Sequence, residues 1–91
     1  MVEEEIREDV HVLVSFPISR RGSFEASEPR NTTVEVILTA AMDHFGVEND
    51  TQFSYLLSCD GIEQRGSILI GSLAGDRGSV RFTLIKKITQ G

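Results

Sequence analysis

The chain has few of the residues needed for a disulfide, a metal cluster or a polyanion-binding surface. Its 91 residues include a single cysteine, which excludes an internal disulfide and a four-thiolate iron–sulfur cluster. There are nine Lys and Arg residues against 14 Asp and Glu residues. The basic residues gather only in the pairs Arg20-Arg21 and Lys86-Lys87. Nucleic acids and anionic membranes bind clustered basic residues, so we expect no nucleic-acid partner and no membrane partner.

The sequence also lacks any hydrophobic run of transmembrane length, and its acidic beginning differs from the basic start of a signal peptide. We therefore expect a cytoplasmic protein. A chain of this length, 40% hydrophobic and 25% charged, suffices for one modest core. The pattern predicts one monomeric domain over residues 10–87. An acidic flexible arm over residues 1–9 precedes it, and a flexible tail over residues 88–91 follows it.

Alternation of apolar and polar residues predicts β-strands in four segments. They cover residues 10–16, 23–27, 53–59 and 79–87, where the period of two is typical of a sheet with one buried face. A short further strand is predicted over residues 62–64. The first two strands are separated by a turn sequence, so they should form a hairpin.

A change of period between the second and third strands predicts an amphipathic helix over residues 33–45. The apolar residues spaced by three and four are Val34, Ile37, Leu38, Ala41 and Phe45. Thr32 and Glu35 are candidates for a capping box at the start, and Gly46 is the expected left-handed cap at the end. Residues 67–74 are interrupted by glycine, which predicts a loop with one helical turn.

This order of elements, together with several short segments, resembles the ubiquitin-like β-grasp family. The segments that carry the resemblance are Thr32-Thr33-Val34, Phe45-Gly46-Val47, Leu57-Ser58-Cys59-Asp60-Gly61 and Gly78-Ser79-Val80-Arg81-Phe82-Thr83-Leu84. Residues 40–47 and 59–62 are particularly similar to the matching segments of the ubiquitin-fold modifier. The resemblance implies an α+β fold, in which a mixed sheet of four to five strands packs on one amphipathic helix.

The same resemblance implies a role for Gly91. In ubiquitin-like modifiers, an adenylating enzyme activates the terminal glycyl carboxylate with ATP, and the carboxylate is then joined to a target protein. Ubiquitin itself ends in two glycines after an arginine, whereas this sequence reads Thr89-Gln90-Gly91, so only Gly91 is carried over as a conjugation residue. Two alternatives stay open: a sulfur carrier with a terminal thiocarboxylate, and an unconjugated structural β-grasp subunit of a larger complex.

The strand alternation further predicts a protein-binding surface on the sheet. The residues expected to face the helix are Val10, Val12, Val14, Phe53, Tyr55, Leu57, Val80, Phe82 and Leu84. Leu13, Leu56 and Ile85 then lie on the open face, where clustered aliphatic side chains indicate partner binding. Ser58 and Thr83 occupy the positions that align with the aliphatic recognition patch of ubiquitin. A protein that reads that patch is therefore not expected to bind this chain well.

No combination of residues in the sequence indicates an active site. His11 and His44 lie on different predicted elements, with no acid or thiol at ligand spacing, so we expect no metal site. Cys59 falls on the inward side of its strand, where a cysteine is expected to be buried and unreactive. The sequence accordingly predicts a non-enzymatic protein that needs no cofactor and acts by binding other proteins.

Overall fold

The computed structural model describes residues 9–89. Within that range the chain forms five strands and two helices. In chain order they are β1 (Asp9–Ser15), β2 (Phe24–Pro29), α1 (Val34–Phe45), β3 (Phe53–Cys59), β4 (Ile62–Glu63), α2 (Ile70–Ala74) and β5 (Ser79–Ile88). The mixed α+β fold expected from the sequence is therefore confirmed. None of the helices in this part of the chain is long and apolar enough to cross a membrane.

The five strands form one mixed sheet in the order β2-β1-β5-β3-β4. β1 and β5 run parallel in its centre, and the other neighbouring strands are antiparallel. β1 and β2 form the predicted hairpin. The parallel pairing of β1 with β5 joins the two ends of the domain, which needs the long crossover that the intervening elements supply.

The core lies between one face of the sheet and the two helices. Its residues are Val10, Val12, Val14, Phe16, Val34, Ile37, Ala41, Phe45, Leu57, Ile70, Ala74, Val80, Phe82 and Leu84. The even-numbered residues of β1 from Val10 to Val14 and of β5 from Val80 to Leu84 point into this core, as the alternation predicted. Lys86 and Ile88, at the end of β5, are exposed. Phe16 and Phe45 meet edge to face with ring centroids 5.3 Å apart, an arrangement that aromatic rings favour.

Helix α1 ends as predicted but begins differently. Gly46 adopts the left-handed conformation with φ of 72° and closes the helix. The predicted capping box of Thr32 and Glu35 is wrong, because Thr33 occupies the cap position and makes no side-chain hydrogen bond. The first two helical N–H groups instead donate to the carbonyl oxygens of Ile68 (2.8 Å) and Gly66 (2.9 Å). These loop carbonyls satisfy the groups that a capping hydroxyl would have bound.

Helix α2 is held against the connection after β2 by a close contact between Arg30 and Gly71. The Arg30 guanidinium donates to the carbonyl oxygens of Gly71 (2.9 Å) and Gly75, and the Gly71 N–H donates back to the Arg30 carbonyl (2.9 Å). A Cβ atom at position 71 would lie 2.7 Å from the Arg30 Cβ. Only glycine therefore allows this close approach.

Several predicted boundaries move by one or two residues. Asp9 belongs to β1 because it pairs with Pro29, although the arm was predicted to include it. The second strand runs to Pro29, beyond its predicted end, and β4 stops at Glu63. Ile88 pairs with Phe53, so the last strand continues one residue into the predicted tail. The rest of the arm, and tail residues 90 and 91, lie outside the described residues.

Candidate binding surface on the open sheet face

Leu56 and Ile85, which were predicted to bind a partner, lie together on the face of the sheet opposite the helices. They adjoin Ser58 and Thr83, the two positions that align with the recognition patch of ubiquitin. Leu56 of β3 stands directly across from Ile85 of β5, and Ser58 stands directly across from Thr83. Directly opposed residues on antiparallel strands have Cβ atoms about 5 Å apart. We name these two neighbouring pairs, Leu56–Ile85 and Ser58–Thr83, the β3–β5 patch.

Leu13 shares the open face but does not adjoin the aliphatic pair. Its partner on β5 is Arg81, four residues before Ile85. At about 3.3 Å per residue, that separation is about 13 Å along the strand. The expected cluster of three aliphatic residues is therefore divided, because the register of β1 on β5 places Leu13 towards the other end of the sheet.

The open face carries no covering element among residues 9–89, since α1 and α2 both supply core residues on the opposite face. Leu56, Ile85 and Thr83 are half-buried by their neighbours in the sheet, and Ser58 is only 7% exposed. The patch is thus a low surface with two aliphatic side chains beside two hydroxyl groups. It offers apolar area and the Thr83 hydroxyl group to a partner, whereas Ser58 is buried.

Two ion pairs lie on the same face, and one of them crosses the β3–β5 patch. Lys87 of β5 is in register with Ser54 and Glu63 of β4 with Ser58, so their contact spans β3 in the stretch that contains Leu56. The Lys87 Nζ atom is 2.9 Å from the Glu63 carboxylate, and the His11 Nε2 atom is 3.5 Å from the Glu25 carboxylate. All four side chains are about half exposed. Exposed pairs of this kind contribute little to stability, and the Lys87–Glu63 pair places charged groups beside Leu56.

The end of β5 leads from this patch towards the predicted tail. Ile88 is 76% exposed, and the Thr89 N–H donates to the Gln52 carbonyl at 2.8 Å. The Lys86 ammonium lies 4.1 Å from the centre of the Phe53 ring, an attractive cation–π distance. The predicted conjugation residue, Gly91, lies outside the described residues. Gly91 is six positions after Ile85 in the sequence, a span of at most about 22 Å.

The turn before β3 is organised by two acceptor side chains. The Asp50 carboxylate accepts the N–H groups of Gln52 (2.8 Å) and Phe53 (2.7 Å), and the Asn49 side-chain oxygen accepts the Tyr55 N–H (2.9 Å). The two N–H groups stabilise the charged carboxylate and so lower the pKa of Asp50 below its ordinary value. This turn fixes where β3 begins.

The two histidines, considered as candidates for catalysis or metal binding, lie on different sides of the sheet. His11 lies on the open face, whereas His44 packs against Phe24 and Phe45 with ring centroids 5.5 Å and 4.7 Å away. No group of three or more His, Cys, Asp or Glu side chains within residues 9–89 is arranged to hold a metal ion.

Cys59 is half-buried rather than fully buried as the sequence predicted. It ends β3 beside the two-residue strand β4, which is too short to cover it. Partial burial is the main cause that raises the pKa of the Cys59 thiol, and the negative charge of Asp60 raises it further. The positive charge of Arg77 opposes this effect. The thiol is thus biased away from the reactive thiolate.

Several large apolar side chains of the described residues are exposed, although the sequence pattern did not predict this surface. They are Ile18, Val36, Ile62, Leu69 and Ile88. Val36 is the most informative, because it is 52% exposed on the side of α1 that faces away from the core. Its position was detectable in the sequence, since it falls outside the apolar spacing of the helix.

Comparison with known proteins identifies the fold. Neither a protein-family profile nor a curated protein matches the sequence. Among solved structures, Caldiarchaeum subterraneum ubiquitin matches with a TM-score of 0.71 and 19% identity, over 91% of this chain and 99% of that one. Trypanosoma brucei ATG8 matches with a TM-score of 0.69 and 11% identity, over 92% of this chain and 78% of that one. A structure described as molecular mimicry of SUMO that promotes DNA repair matches with a TM-score of 0.64 and 11% identity, over 90% and 96% of the two chains.

The sheet order and the packed helix define an α+β domain of the β-grasp class. The similar structures make the assignment more specific, because all three align with nine-tenths or more of this chain. The chain has the ubiquitin-like β-grasp fold, as the resemblance in the sequence implied. At these identities the likeness establishes the fold, and the function is argued separately.

Proposed function

We propose that this chain is a ubiquitin-like protein modifier, which binds partner proteins through the β3–β5 patch and is joined to targets through Gly91. The observation that carries the proposal is the direct pairing of Leu56 with Ile85 on a sheet face that no described element covers. The patch lies on the strand that leads into the tail, so a partner could contact both.

The proposed contact is weak and reversible. Burying a large aliphatic side chain contributes about 1.5–3 kcal/mol when it starts fully exposed. Leu56 and Ile85 are already half-buried, so a partner gains about half of that from each. Part of this gain offsets the free-energy cost of association. A transient complex is the expected result, as suits a protein that is handed from one partner to the next.

In this function the chain is the transferred group, and its partner supplies the catalysis. The proposed partner is an adenylating enzyme. In its active site the Gly91 carboxylate attacks the α-phosphorus of ATP, which forms an acyl adenylate and displaces pyrophosphate. A partner thiol then displaces AMP to give a thioester, and a target amine displaces that thiol to give an amide. We propose that the chain acts as a monomer in the cytoplasm, where ATP is available for the first step.

The decisive experiment incubates the purified chain with ATP and an adenylating enzyme from its source, and then searches by mass spectrometry for Gly91 in thioester or isopeptide linkage. A variant lacking Gly91 is the matched control. Linkage that depends on both ATP and Gly91 supports the proposal. A thiocarboxylate at Gly91 would support the sulfur-carrier alternative instead. Linkage through a residue other than Gly91, or the absence of any linkage, would contradict conjugation through Gly91.

The binding surface is tested separately with Leu56→Asp and Ile85→Asp. Each should weaken capture of the adenylating enzyme while the circular dichroism spectrum stays that of the folded chain. Leu13→Asp is the matched control, because Leu13 lies on the same face about 13 Å along the strand direction from Ile85. Equal loss in all three variants would show that the contact is not centred on the β3–β5 patch.

A further inference from the structure

The solvent-facing side of α1 carries a second surface that the open sheet face does not explain. Two shallow depressions run along it, the first lined by Val36 and Ala40 and the second by Met42 and Val47. Both are also lined by Thr39 and Asp43, so they adjoin and form one groove along the helix. We name this surface the α1 groove.

The apolar lining of the α1 groove has no role in the core. Ile37 and Ala41 face the sheet and are fully buried, whereas Val36 is 52% exposed. A valine on the outer face of a helix is also disfavoured by its branched side chain, which loses rotamer freedom there. Neither packing nor helix propensity therefore accounts for an exposed valine at position 36.

Acidic side chains border the same groove. Glu35 and Asp43 line the first depression, and Asp43 and Glu48 line the second; neither depression has a Lys or Arg among its lining residues. The side-chain ion pairs formed within residues 9–89 use Glu25 and Glu63 on the sheet face, and none involves these three carboxylates. The Arg21 guanidinium lies at the end of the groove, beside Gly46, which lines the second depression. The three carboxylates along the groove therefore outnumber this one cation.

The helix itself adds to the negative potential at one end of the groove. Asp43 lies in the last turn of α1, where the aligned peptide dipoles place a partial negative charge. A carboxylate at that end is unfavourable for the helix, and the Arg21 guanidinium, which donates to the His44 carbonyl at 2.9 Å, partly offsets the negative charge there. The excess of carboxylates along the groove still favours a cationic partner. The anionic border also excludes phosphate-rich ligands such as nucleic acids and anionic lipid surfaces.

We propose that the α1 groove binds a basic amphipathic segment of a partner protein. One aliphatic side chain of the segment packs on Val36 and Ala40, and a Lys or Arg side chain pairs with Asp43 and Glu48. Val36 and Asp43 are seven residues apart on the helix, or about 10 Å along its axis. A partner presents its aliphatic and basic residues at that distance when they are seven apart in a helix, or three apart in an extended strand.

This surface is independent of the proposed conjugation and of the β3–β5 patch. The helix lies on the core side of the sheet, and the patch lies on the other side. Two partners could therefore be bound at once, one on each side of the domain. In that arrangement the chain would hold the two partners close together and so raise the effective concentration of each near the other. The two partners would not compete for the same residues.

The test is a titration of the isotope-labelled chain, followed by amide NMR shifts, with a synthetic peptide of Leu and Lys. The peptide has about 12 residues, matching α1 in length, with its leucines on one helical face. A peptide of the same composition but scrambled order, without an apolar face, is the control ligand. The expected result is a set of shifts confined to residues 35–48, with at least about tenfold weaker binding of the scrambled peptide.

Variants then separate the groove from general charge attraction. Asp43→Lys should weaken binding about tenfold, and Val36→Ser should weaken it several-fold because apolar contact area is lost. Glu25→Lys changes the net charge by the same amount on the opposite face, and it should leave affinity nearly unchanged. Circular dichroism confirms that each variant is folded.

Two results would overturn the proposal. Shifts centred on the sheet face, or spread evenly over the domain, would show that the peptide does not recognise the α1 groove. Equal weakening by Glu25→Lys and Asp43→Lys, or equal affinity for the ordered and scrambled peptides, would show attraction to net negative charge alone.

Discussion

The orientation of the two faces of the sheet can be tested at two adjacent residues of β3. Leu57 is fully buried and stands across from Leu84, whereas Leu56 is half-buried on the open face across from Ile85. Truncating a buried leucine to alanine removes its burial and leaves a cavity, which costs about 2–5 kcal/mol. Leu56→Ala loses only part of its apolar burial and leaves no enclosed cavity, so it should cost about 0.5–1.5 kcal/mol.

The assay is equilibrium unfolding in urea, followed by circular dichroism. A small domain loses about 1–1.5 kcal/mol of its free energy of unfolding per molar urea. A cost of about 3 kcal/mol in Leu57→Ala then lowers the midpoint by about 2–3 M, while Leu56→Ala lowers it by about 0.3–1.5 M. Total stabilities of about 5–15 kcal/mol are usual, so both variants should be folded without urea.

The same comparison can be repeated on β5 with Leu84→Ala and Ile85→Ala. If Leu56→Ala costs as much as Leu57→Ala, or if the order reverses on β5, the open face is not where the structure places it. The β3–β5 patch would then be part of the core, and the proposed binding surface would be lost. Equal slopes of the unfolding curves are needed for the comparison, since a changed slope indicates a changed unfolded state.

Three further outcomes follow from individual residues. Gly71→Ala should cost about 1–3 kcal/mol of unfolding free energy in urea, because its Cβ atom would meet a backbone oxygen at 2.8 Å. Gly78→Ala, with no atom within 4 Å of the added Cβ, should be neutral or slightly stabilising. Asp50→Asn should be less stable than the parent chain at pH 7. Because folding lowers the pKa of Asp50, its contribution is present above the ordinary carboxyl pKa and is lost as pH falls through the lowered value. The two thermal midpoints should therefore converge in strong acid, and a constant gap would contradict this account. Cys59, whose thiol pKa is raised, should react with iodoacetamide more slowly than free cysteine at pH 8; faster reaction would contradict the bias towards the thiol.

The periodicity of apolar residues was sufficient to predict the strands, the helix α1 and their buried faces, because this periodicity reflects local backbone geometry. A pleated strand places alternate side chains on opposite faces, so the inward positions of β1, β3 and β5 could be predicted from apolar spacing alone. The same reasoning placed Gly46 at the end of α1, where a left-handed residue is needed. The start of α1 could not be predicted in this way, since its N–H groups bind carbonyl oxygens from residues more than 30 positions later.

The sequence predicted the face on which the candidate binding surface lies, but not which residues are neighbours on that face. As with the start of α1, this depends on contacts between distant segments of the chain. The alternation put Leu13, Leu56 and Ile85 on one face, but it carries no information about which residues stand side by side. That depends on the register of β1 and β3 against β5, which is set by hydrogen bonds between distant segments. The resulting register joins Leu56 to Ile85 and moves Leu13 away from both.

The sequence by itself determined the strand and helix periods, the single apolar core, the acidic charge and the resemblance to the ubiquitin-like β-grasp family. Each of these depends on residue chemistry and near neighbours along the chain. The tertiary structure alone decided the central parallel pair of β1 and β5, the β3–β5 patch and the groove that contains Val36. Those features arise where segments far apart in sequence pack together, and local spacing does not specify which segments meet.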